Sequence, residues 1–271
     1  ECLKRLAKYT VVDDFPLGAK DRSDSFIIPE KLYGRNRHLE ALYHEYQRVV
    51  QGEFRMILCS GPPGIGKSSL IKEIHKPLVK EKGYFISGKF DQYKRTFPYL
   101  AFIQAIQDLV RQILTESEEQ LENWKKIIVA ALENDGPILV NVFPDIELIV
   151  GHHTMQDKIS AVEMKDRFLA VFLKFIKVFA QRNKPLVLFL DDVQWIDDSS
   201  LQLLHALMMN PHVPGLLIIG TYRDGEIEYN EQALRLFEYL EKRKDFWTRV
   251  ELGTLELEEI NSLVSDTLSV P

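Results

Sequence analysis

The sequence predicts an α/β domain built around a mostly parallel, doubly wound sheet. Short continuous apolar runs, such as those at residues 186–190 and 216–219, are typical of strands that are buried on both faces of a parallel sheet. Between these runs lie longer segments with apolar residues at three- and four-residue steps, which predict helices. A glycine-rich turn also separates the first strand from the helix after it. Strands and helices that alternate in this way predict a sheet covered by helices.

The predicted elements follow one another along most of the chain. Strands are predicted at residues 55–60, 84–88, 185–191, 216–221 and 248–252. Helices are predicted at residues 34–51, 67–80, 98–115, 117–134, 158–182, 199–209, 230–243 and 257–268. Pro77 is expected to end or bend the helix in which it lies. A stripe of large apolar side chains on one face of the helix at 158–182 predicts core packing. The members of the stripe are Phe168, Phe172, Phe175, Val178 and Phe179.

The predicted domain organisation begins with a short helix and a linker arm at residues 1–30, and the α/β domain follows at residues 31–254. The second and third strands are separated by about a hundred residues, far more than a crossover needs. We therefore expect a helical insertion at about residues 95–182, with turns at 136–137 and 142–145. The chain begins with Glu1 rather than Met, which suggests a piece of a longer protein.

Composition narrows the classes of function. The formal net charge of −6 argues against a broad nucleic-acid surface, which would need clustered basic residues. The cysteines, Cys2 and Cys59, are too few for a disulfide framework or a zinc set, and they fit the reducing cytoplasm. The chain has no signal-peptide pattern and no run of about 20 apolar residues, so no membrane association is expected.

The most specific motif is G-x-x-x-x-G-K-S at residues 61–68. Between a strand and a helix, this pattern predicts a phosphate-binding loop, because N–H groups at a helix N-terminus attract anions and glycines let the backbone wrap around phosphates. Lys67 is expected to reach the β- and γ-phosphates, and the Ser68 hydroxyl to bind Mg²⁺. A plain Gly/Pro turn is the alternative interpretation. The predicted nucleotide-binding residues are Gly61, Pro62, Pro63, Gly64, Ile65, Gly66, Lys67, Ser68 and Ser69.

Acidic and polar residues at the ends of two later strands predict the second half of the site. Asp191 and Asp192 end a buried strand, where they would face the ligand crevice of a parallel sheet. Asp191 is expected to hold Mg²⁺ through water, and Asp192 to polarise the attacking water. The alternative is an acid pair that caps a turn.

The next buried strand ends in Thr221 and Arg223. Thr221 is a candidate to orient the γ-phosphate or its water, and Arg223 to supply positive charge there. The spacing supports equally a salt bridge from Arg223 to Asp224 or Glu226.

Two further groups of residues have a structural interpretation. Asp197 and Asp198 precede a predicted helix, and Asp198 or Ser199 is expected to be its N-cap. The pair His152 and His153 lacks a neighbouring Cys or acid cluster, so a surface loop is expected rather than a metal site.

These motifs together resemble those of the STAND-class ATPases, a signal-transducing branch near the AAA superfamily. The segments that carry the resemblance are residues 32–35 (Leu-Tyr-Gly-Arg), 61–68, 190–192 (Leu-Asp-Asp) and 220–223 (Gly-Thr-Tyr-Arg). Four other segments look typical of the ATPase module of large bacterial and fungal signalling proteins that also carry Ser/Thr kinase-like and sensor or histidine-kinase domains. They are residues 15–18, 28–35, 86–92 and 190–195. The resemblance covers residues 11 to 260.

The resemblance implies a three-layer P-loop NTPase of the ASCE type, with strand order 5-1-4-3-2. It implies that Tyr33 and Arg35 contact the adenine side, so the nucleotide is ATP or ADP rather than GTP, and that Arg223 reads the terminal phosphate. A helical lid is expected to begin at residues 255–271. Asn36 departs from the acidic residue that often follows the Gly-Arg pair.

The leading hypothesis is a switch that binds ATP, hydrolyses it slowly and regulates attached kinase-like and sensor domains of a longer chain. Asp192 stands where many AAA enzymes have a longer Glu, which suggests slow turnover. Self-association on ATP binding is a further hypothesis. Two alternatives stay open: a motor or loader that acts on protein or nucleic acid, which the negative charge disfavours, and a non-hydrolysing scaffold with nucleotide as a structural ligand.

Overall fold

The computed structural model describes residues 31–151, 161–209 and 213–268 and contains a five-stranded parallel sheet. The strands are β1 (Arg55–Ser60), β2 (Tyr84–Lys89), β3 (Leu186–Asp191), β4 (Leu216–Tyr222) and β5 (Trp247–Glu251). Their order across the sheet is β2-β3-β4-β1-β5, and each neighbouring pair is parallel. The predicted order 5-1-4-3-2 is therefore confirmed. The predicted strand bounds agree with the observed ones to within one residue.

The two strands β1 and β4 form the buried centre of the fold. Every residue of β1 and β4 is buried, as expected for strands with a neighbour on each side and helices on both faces. Helix α1 (Asn36–Val50) packs against β1. Helices α2 (Lys67–Lys72) and α3 (His75–Lys80) connect β1 to β2. Helices α9 (Asp198–Met209) and α10 (Glu231–Glu241) follow β3 and β4. Cys59 lies fully buried in β1, and burial raises the pKa of its thiol to about 12.

The helical insertion between β2 and β3 is present. Its helices are α4 (Leu100–Leu114), α5 (Glu118–Leu132), α6 (Gly136–Val142), α7 (Glu147–Val150) and α8 (Ala161–Phe179). Helices α5 and α6 pack on α8, whose predicted apolar stripe is buried in the core. Phe172 is fully buried, and its ring centroid lies 5.8 Å from that of Phe102 on α4. The expectation that the stripe packs in the core is confirmed.

Helix α4 covers the edge of the sheet. Strand β2 has a neighbour on one side only, so its outer backbone groups need other partners. The backbone N–H of Lys89 donates to Oε1 of Gln104 over 2.8 Å, and Nε2 of Gln112 donates to the carbonyl oxygen of Phe85 over 2.6 Å. Two glutamines, two turns apart on α4, thus fix this helix along β2 and hold the end of the strand that carries Lys89.

The helix predicted at 67–80 is interrupted, as expected from Pro77. Because Pro77 has no N–H to continue the ladder, a turn at residues 73–74 separates α2 from α3. Two other local predictions were wrong. The turn predicted at 136–137 begins α6, where proline in the first turn lacks only an N–H that would be unpaired anyway. The cap of α9 is Asp197 rather than Asp198 or Ser199, since Oδ1 of Asp197 accepts from the backbone N–H of Ser200 over 2.9 Å. The predictions for residues 1–30 and for His152 and His153 lie outside the described residues.

A buried ion pair ties α1 to the start of β1. The Arg55 guanidinium donates through Nε to Oε2 of Glu45 and through Nη1 to the carbonyl oxygen of Asp245, the latter over 2.6 Å. Thr248 donates to Oε1 of Glu45 over 3.0 Å. Burial raises the pKa of Glu45, but the hydrogen bond and the charge of Arg55 outweigh it, so this pKa lies below its ordinary value.

The chain divides into two compact units. One, within residues 35–254, holds the sheet and the insertion; of the other, the described residues are 31–34 and 255–268. Within the second unit, helix α11 (Leu257–Leu268) carries Asp266, whose Oδ2 accepts a hydrogen bond of 2.7 Å from the hydroxyl of Tyr33 and one of 3.0 Å from Nζ of Lys31. Across the described ranges, no helix combines the length and the apolarity that a membrane span requires.

Candidate functional site

The glycine-rich loop lies between β1 and α2, as its sequence predicts. Gly64 and Gly66 have φ angles of 75° and 97°, in the left-handed region that glycine adopts without strain. A Cβ atom added at either residue would meet nothing within 4 Å, so this side of the loop is open. Ser68 and Ser69, in the first turn of α2, are exposed beside it. The loop therefore presents its backbone to an open cradle that side chains do not fill.

The Lys67 side chain lies back along the loop. Its ammonium donates to the carbonyl oxygen of Gly61 over 2.6 Å and to that of Pro62 over 2.9 Å. Burial and the charge of Arg223 lower the pKa of Lys67 below its ordinary value, against the opposing charges of Asp192 and Asp191. A cation is thus placed at the mouth of the cradle, within the electrostatic reach of two acids.

The hydroxyl of Thr221 connects the two acids that follow β3. Thr221 is fully buried on β4, next to β3 in the sheet, and its hydroxyl donates to Oδ1 of Asp191. The hydroxyl oxygen of Thr221 also accepts a hydrogen bond of 3.1 Å from the backbone N–H of Asp192. Asp192 itself has a left-handed backbone, with φ of 56° and ψ of 46°, and begins a 3₁₀ turn. The predicted residues Asp191, Asp192 and Thr221 are therefore brought together at the carboxyl edge of the sheet.

Lys89 joins both acids, and sequence reasoning missed it. In the parallel register, Lys89 at the end of β2 lies opposite Asp191 at the end of β3. Its ammonium lies 3.0 Å from Oδ2 of Asp191 and 2.6 Å from Oδ2 of Asp192. Burial lowers the pKa of Lys89, but these carboxylates outweigh it and the pKa is raised. A lysine at the end of an edge strand resembles any solvated lysine, so only the predicted strand order could have indicated its position.

Arg223, the residue after β4, approaches Asp192 from the neighbouring strand. Its Nε lies 3.6 Å from Oδ1 of Asp192, and its Nη1 lies 3.2 Å from Oε1 of Glu226. Of the two salt bridges that the sequence left open, the structure has the one to Glu226, whereas Asp224 pairs with Arg249. Arg223 also lines the pocket described below, so a ligand there and Glu226 share access to the same guanidinium.

Asp192 has hydrogen-bond partners on both carboxylate oxygens. Lys89 contacts Oδ2, and Nε2 of the buried Gln194 donates to Oδ1 over 3.1 Å. Burial raises the pKa of Asp192, but hydrogen bonds from Lys89 and Gln194 and the charges of Lys89 and Arg223 outweigh it. The pKa of Asp192 therefore lies below its ordinary value, and the carboxylate is ionised at neutral pH.

Arg35 contacts the main chain of the glycine-rich loop. It is buried, and its Nη2 donates to the carbonyl oxygen of Gly253 over 2.9 Å and to that of Ile65 over 3.3 Å. The guanidinium thus holds the main chain of the glycine-rich loop. Tyr33 belongs to the other unit, so its expected contact with adenine stays a prediction from the sequence.

These groups surround one pocket of about 340 Å³ at the carboxyl edge of the sheet. Its walls combine the open cradle, three cations and two carboxylates. The lining residues are Pro63, Gly64, Gly66, Lys67, Ser68, Ser69, Lys89, Asp191, Asp192 and Arg223. Backbone of a glycine-rich loop, cations and hard oxygen ligands are the groups that a magnesium-bound polyphosphate requires, so the residues present fit such a ligand.

Comparison with known proteins identifies relatives of the chain. Hybrid signal transduction histidine kinase G of Dictyostelium discoideum is 39% identical over 197 residues, which cover 73% of this chain and 6% of that protein. Histidine protein kinase 1 of Candida albicans is 26% identical over 195 residues, which cover 65% of this chain and 8% of that protein. The chain therefore corresponds to a small part of these kinases.

The chain is also similar to a solved structure and to a protein-family model. The crystal structure of Cdc6p from Pyrobaculum aerophilum is 14% identical, with a TM-score of 0.47 over 91% of this chain and 52% of that one. A family model described as the AAA ATPase domain matches residues 31–219, more than half of the 271 residues. The matched range holds the sheet strands β1 to β3 and the glycine-rich loop. The chain therefore belongs to the AAA ATPase domain family.

Proposed function

We propose that this domain binds ATP with magnesium and hydrolyses it slowly, and that the two nucleotide states regulate kinase or sensor domains of a longer chain. The observation that carries the proposal is the pocket at the carboxyl edge of the sheet. Lys67, Lys89 and Arg223 there face Asp191 and Asp192 beside an open glycine-rich loop. Membership of the AAA ATPase domain family supports nucleotide as the ligand.

Each polar group has a proposed role in binding. The backbone of residues 61–66 would surround the phosphates, and the Lys67 ammonium would leave the carbonyl oxygens of Gly61 and Pro62 to contact the β- and γ-phosphates. Ser68 and Asp191 supply the hard oxygen ligands that would hold magnesium. A bound magnesium ion would neutralise charge on the phosphate oxygens. Thr221 would keep the Asp191 carboxylate in place through its hydrogen bond.

Hydrolysis would use Asp192 as the group that orients and polarises water. Its lowered pKa keeps it ionised, so it can accept a hydrogen bond from water. The same contacts reduce its basicity, because Lys89 and Gln194 already donate to its two oxygens. A weak base with occupied oxygens supports slow turnover, below about one per second, at the low end of ordinary enzymes. Arg223 would stabilise the charge that develops on the terminal phosphate.

The switch is supported by the relatives. Two of the proteins described above are named histidine kinases, and the chain spans less than a tenth of each. We propose that nucleotide state in this domain changes the activity of kinase or sensor domains in a longer chain in the cytoplasm. A change of ligand at the carboxyl edge would move the ends of β2, β3 and β4 and the loops that follow them, where Lys89, Asp192 and Arg223 lie.

Two substitutions test the binding and hydrolysis steps separately. Lys67→Ala is expected to abolish Mg-ATP binding in isothermal titration calorimetry while the thermal unfolding temperature stays close to that of the wild type. Lys72→Ala is the matched control, because Lys72 is exposed on the same helix and does not line the pocket. If Lys67→Ala binds Mg-ATP as tightly as Lys72→Ala does, the site is wrongly assigned.

Asp192→Asn tests the chemical step. The amide keeps the size of the side chain but accepts protons poorly, so we expect ATP binding to persist and phosphate release to fall at least tenfold. Equal phosphate release by Asp192→Asn and the wild type would remove Asp192 from the reaction. Bound nucleotide that the wild type never turns over would favour the non-hydrolysing scaffold instead.

A further inference from the structure

We propose that Glu226, acting together with Gln194, is a positioning residue that restrains Arg223 and thereby sets how strongly the domain prefers ATP to ADP. This inference rests on the proposed function, because it concerns the arginine that would contact the terminal phosphate. Neither residue stands in the glycine-rich loop or at the end of a strand, and neither lines the pocket.

The four side chains form a closed ring of contacts. Arg223 contacts Oε1 of Glu226 through Nη1 over 3.2 Å and approaches Oδ1 of Asp192 through Nε over 3.6 Å. Gln194 completes the ring, since its Nε2 donates to Oδ1 of Asp192 over 3.1 Å and to Oε2 of Glu226 over 3.2 Å. The guanidinium is therefore held between two carboxylates whose separation is set by one amide.

The orientation of Gln194 is fixed by its surroundings. It is fully buried, and both carboxylates around it need donors, so the amide nitrogen must face them. Within the described residues, its Oε1 has no hydrogen-bond partner. An unpaired buried carbonyl is unfavourable, and two hydrogen bonds to carboxylates are of the stronger kind that can offset it. The backbone of Gln194 is also held, because Asn230 at the start of α10 donates to its carbonyl oxygen over 3.0 Å.

The ring makes Glu226 a competitor of the terminal phosphate. Arg223 has a carboxylate on each side, and its contact with Glu226 is the shorter of the two. To bind the γ-phosphate, the guanidinium must leave Glu226 at least in part. ADP lacks that phosphate and leaves the contact intact. The competition therefore lowers the affinity for ATP but not that for ADP, and so keeps the affinities of the two nucleotides close together.

Glu226→Gln in the 271-residue chain tests the inference. The variant removes the charge that holds Arg223, and we expect the Kd for Mg-ATP to fall about three- to fivefold, as for a partly exposed ion pair. The Kd for Mg-ADP should change less than twofold. Asp224→Asn is the matched control, since Asp224 lies two residues away with the same charge but pairs with the exposed Arg249. It should change both nucleotide affinities equally.

Arg223→Ala supplies the second arm. If Glu226 acts through Arg223, adding Glu226→Gln to Arg223→Ala changes the ratio of the two Kd values no further. The inference alone is overturned if the wild type binds Mg-ATP but Glu226→Gln behaves like Asp224→Asn, or if its effect persists without Arg223. A wild type that binds neither nucleotide overturns the proposed function and this inference with it. Should Glu226→Gln fail to fold, Glu226→Asp, which draws the carboxylate away from Arg223, is expected to shift the ratio in the same direction.

Discussion

Substitution of Gly88 by alanine should separate α4 from the sheet. Gly88 lies on β2 where α4 passes closest, and a Cβ atom there would lie 1.8 Å from the carbonyl oxygen of Ala101 and 2.6 Å from its carbonyl carbon. Ordinary contacts of a Cβ atom begin at 3.4 Å, so β2 and α4 would have to part by about 1.6 Å, an overpacking that typically costs about 1–3 kcal/mol.

The separation would also weaken the hydrogen bonds that fix the edge of the sheet. The bond from Lys89 N–H to Gln104 and the bond from Gln112 to the Phe85 carbonyl each contribute about 1 kcal/mol. We therefore expect Gly88→Ala to lower the free energy of unfolding by about 2–5 kcal/mol, measured by urea denaturation with linear extrapolation.

A second glycine supplies the control. Gly253 does not have a left-handed backbone, and a Cβ atom added there would meet nothing within 4 Å. Gly253→Ala is expected to leave stability unchanged or to raise it by up to about 1 kcal/mol. A Gly88→Ala variant within about 0.5 kcal/mol of the wild type would refute the close packing of α4 on β2 and the support it gives to Lys89.

Three other substitutions test separate parts of the structure. Lys89→Met removes a cation from Asp192, so the pKa of this acid should rise and the acid limb of the pH–turnover profile should move to higher pH. Lys89→Arg keeps the charge and should leave the acid limb in place. Equal profiles for the two variants would contradict the contact between Lys89 and Asp192. Glu45→Gln leaves Arg55 buried without its partner charge and should lower the free energy of unfolding by about 3 kcal/mol at pH 7. The folded-state pKa of Glu45 lies below its ordinary value of about 4.3, so the wild type should lose its extra stability over Glu45→Gln as the pH falls through the folded-state pKa. A difference in the free energy of unfolding between wild type and variant that stayed constant in acid would contradict the account. Phe172→Ala should cost about 3–5 kcal/mol by calorimetry, against less than about 0.5 kcal/mol for Leu148→Ala at an exposed position.

The sheet could be predicted from the sequence because its signal is local. Buried parallel strands are continuous apolar runs, and such runs occur in β1, β3 and β4, whereas the edge strand β5 (Trp-Thr-Arg-Val-Glu) has a weaker signal. Their order came from a resemblance, since hydrophobicity alone does not rank strands across a sheet. The sequence marked Pro77 and Pro137 as interruptions. Pro77 lies in α3, just after the turn that ends α2, whereas Pro137 lies in the first turn of α6 rather than in a turn between helices.

The candidate site also contains residues that the sequence predicts and residues that it does not. The glycine-rich loop and Asp191 could be found because the motif is contiguous and its chemistry is specific to phosphate. The sequence does not indicate Lys89, Gln194 and Glu226, because each of them contacts a residue that is distant along the chain. Gln194 and Glu226 stand 32 residues apart, and nothing in the local sequence of either indicates the contact. Such residues are found only once the strand order places their loops at one edge.

The most direct test of the central claim is amide hydrogen exchange of the 271-residue chain with and without Mg-ATP. If the glycine-rich loop holds the phosphates, the backbone N–H groups of residues 64–69 should exchange more slowly with nucleotide, while those of α5 in the insertion should not change. Exchange in the loop that stays the same at saturating Mg-ATP would contradict the account.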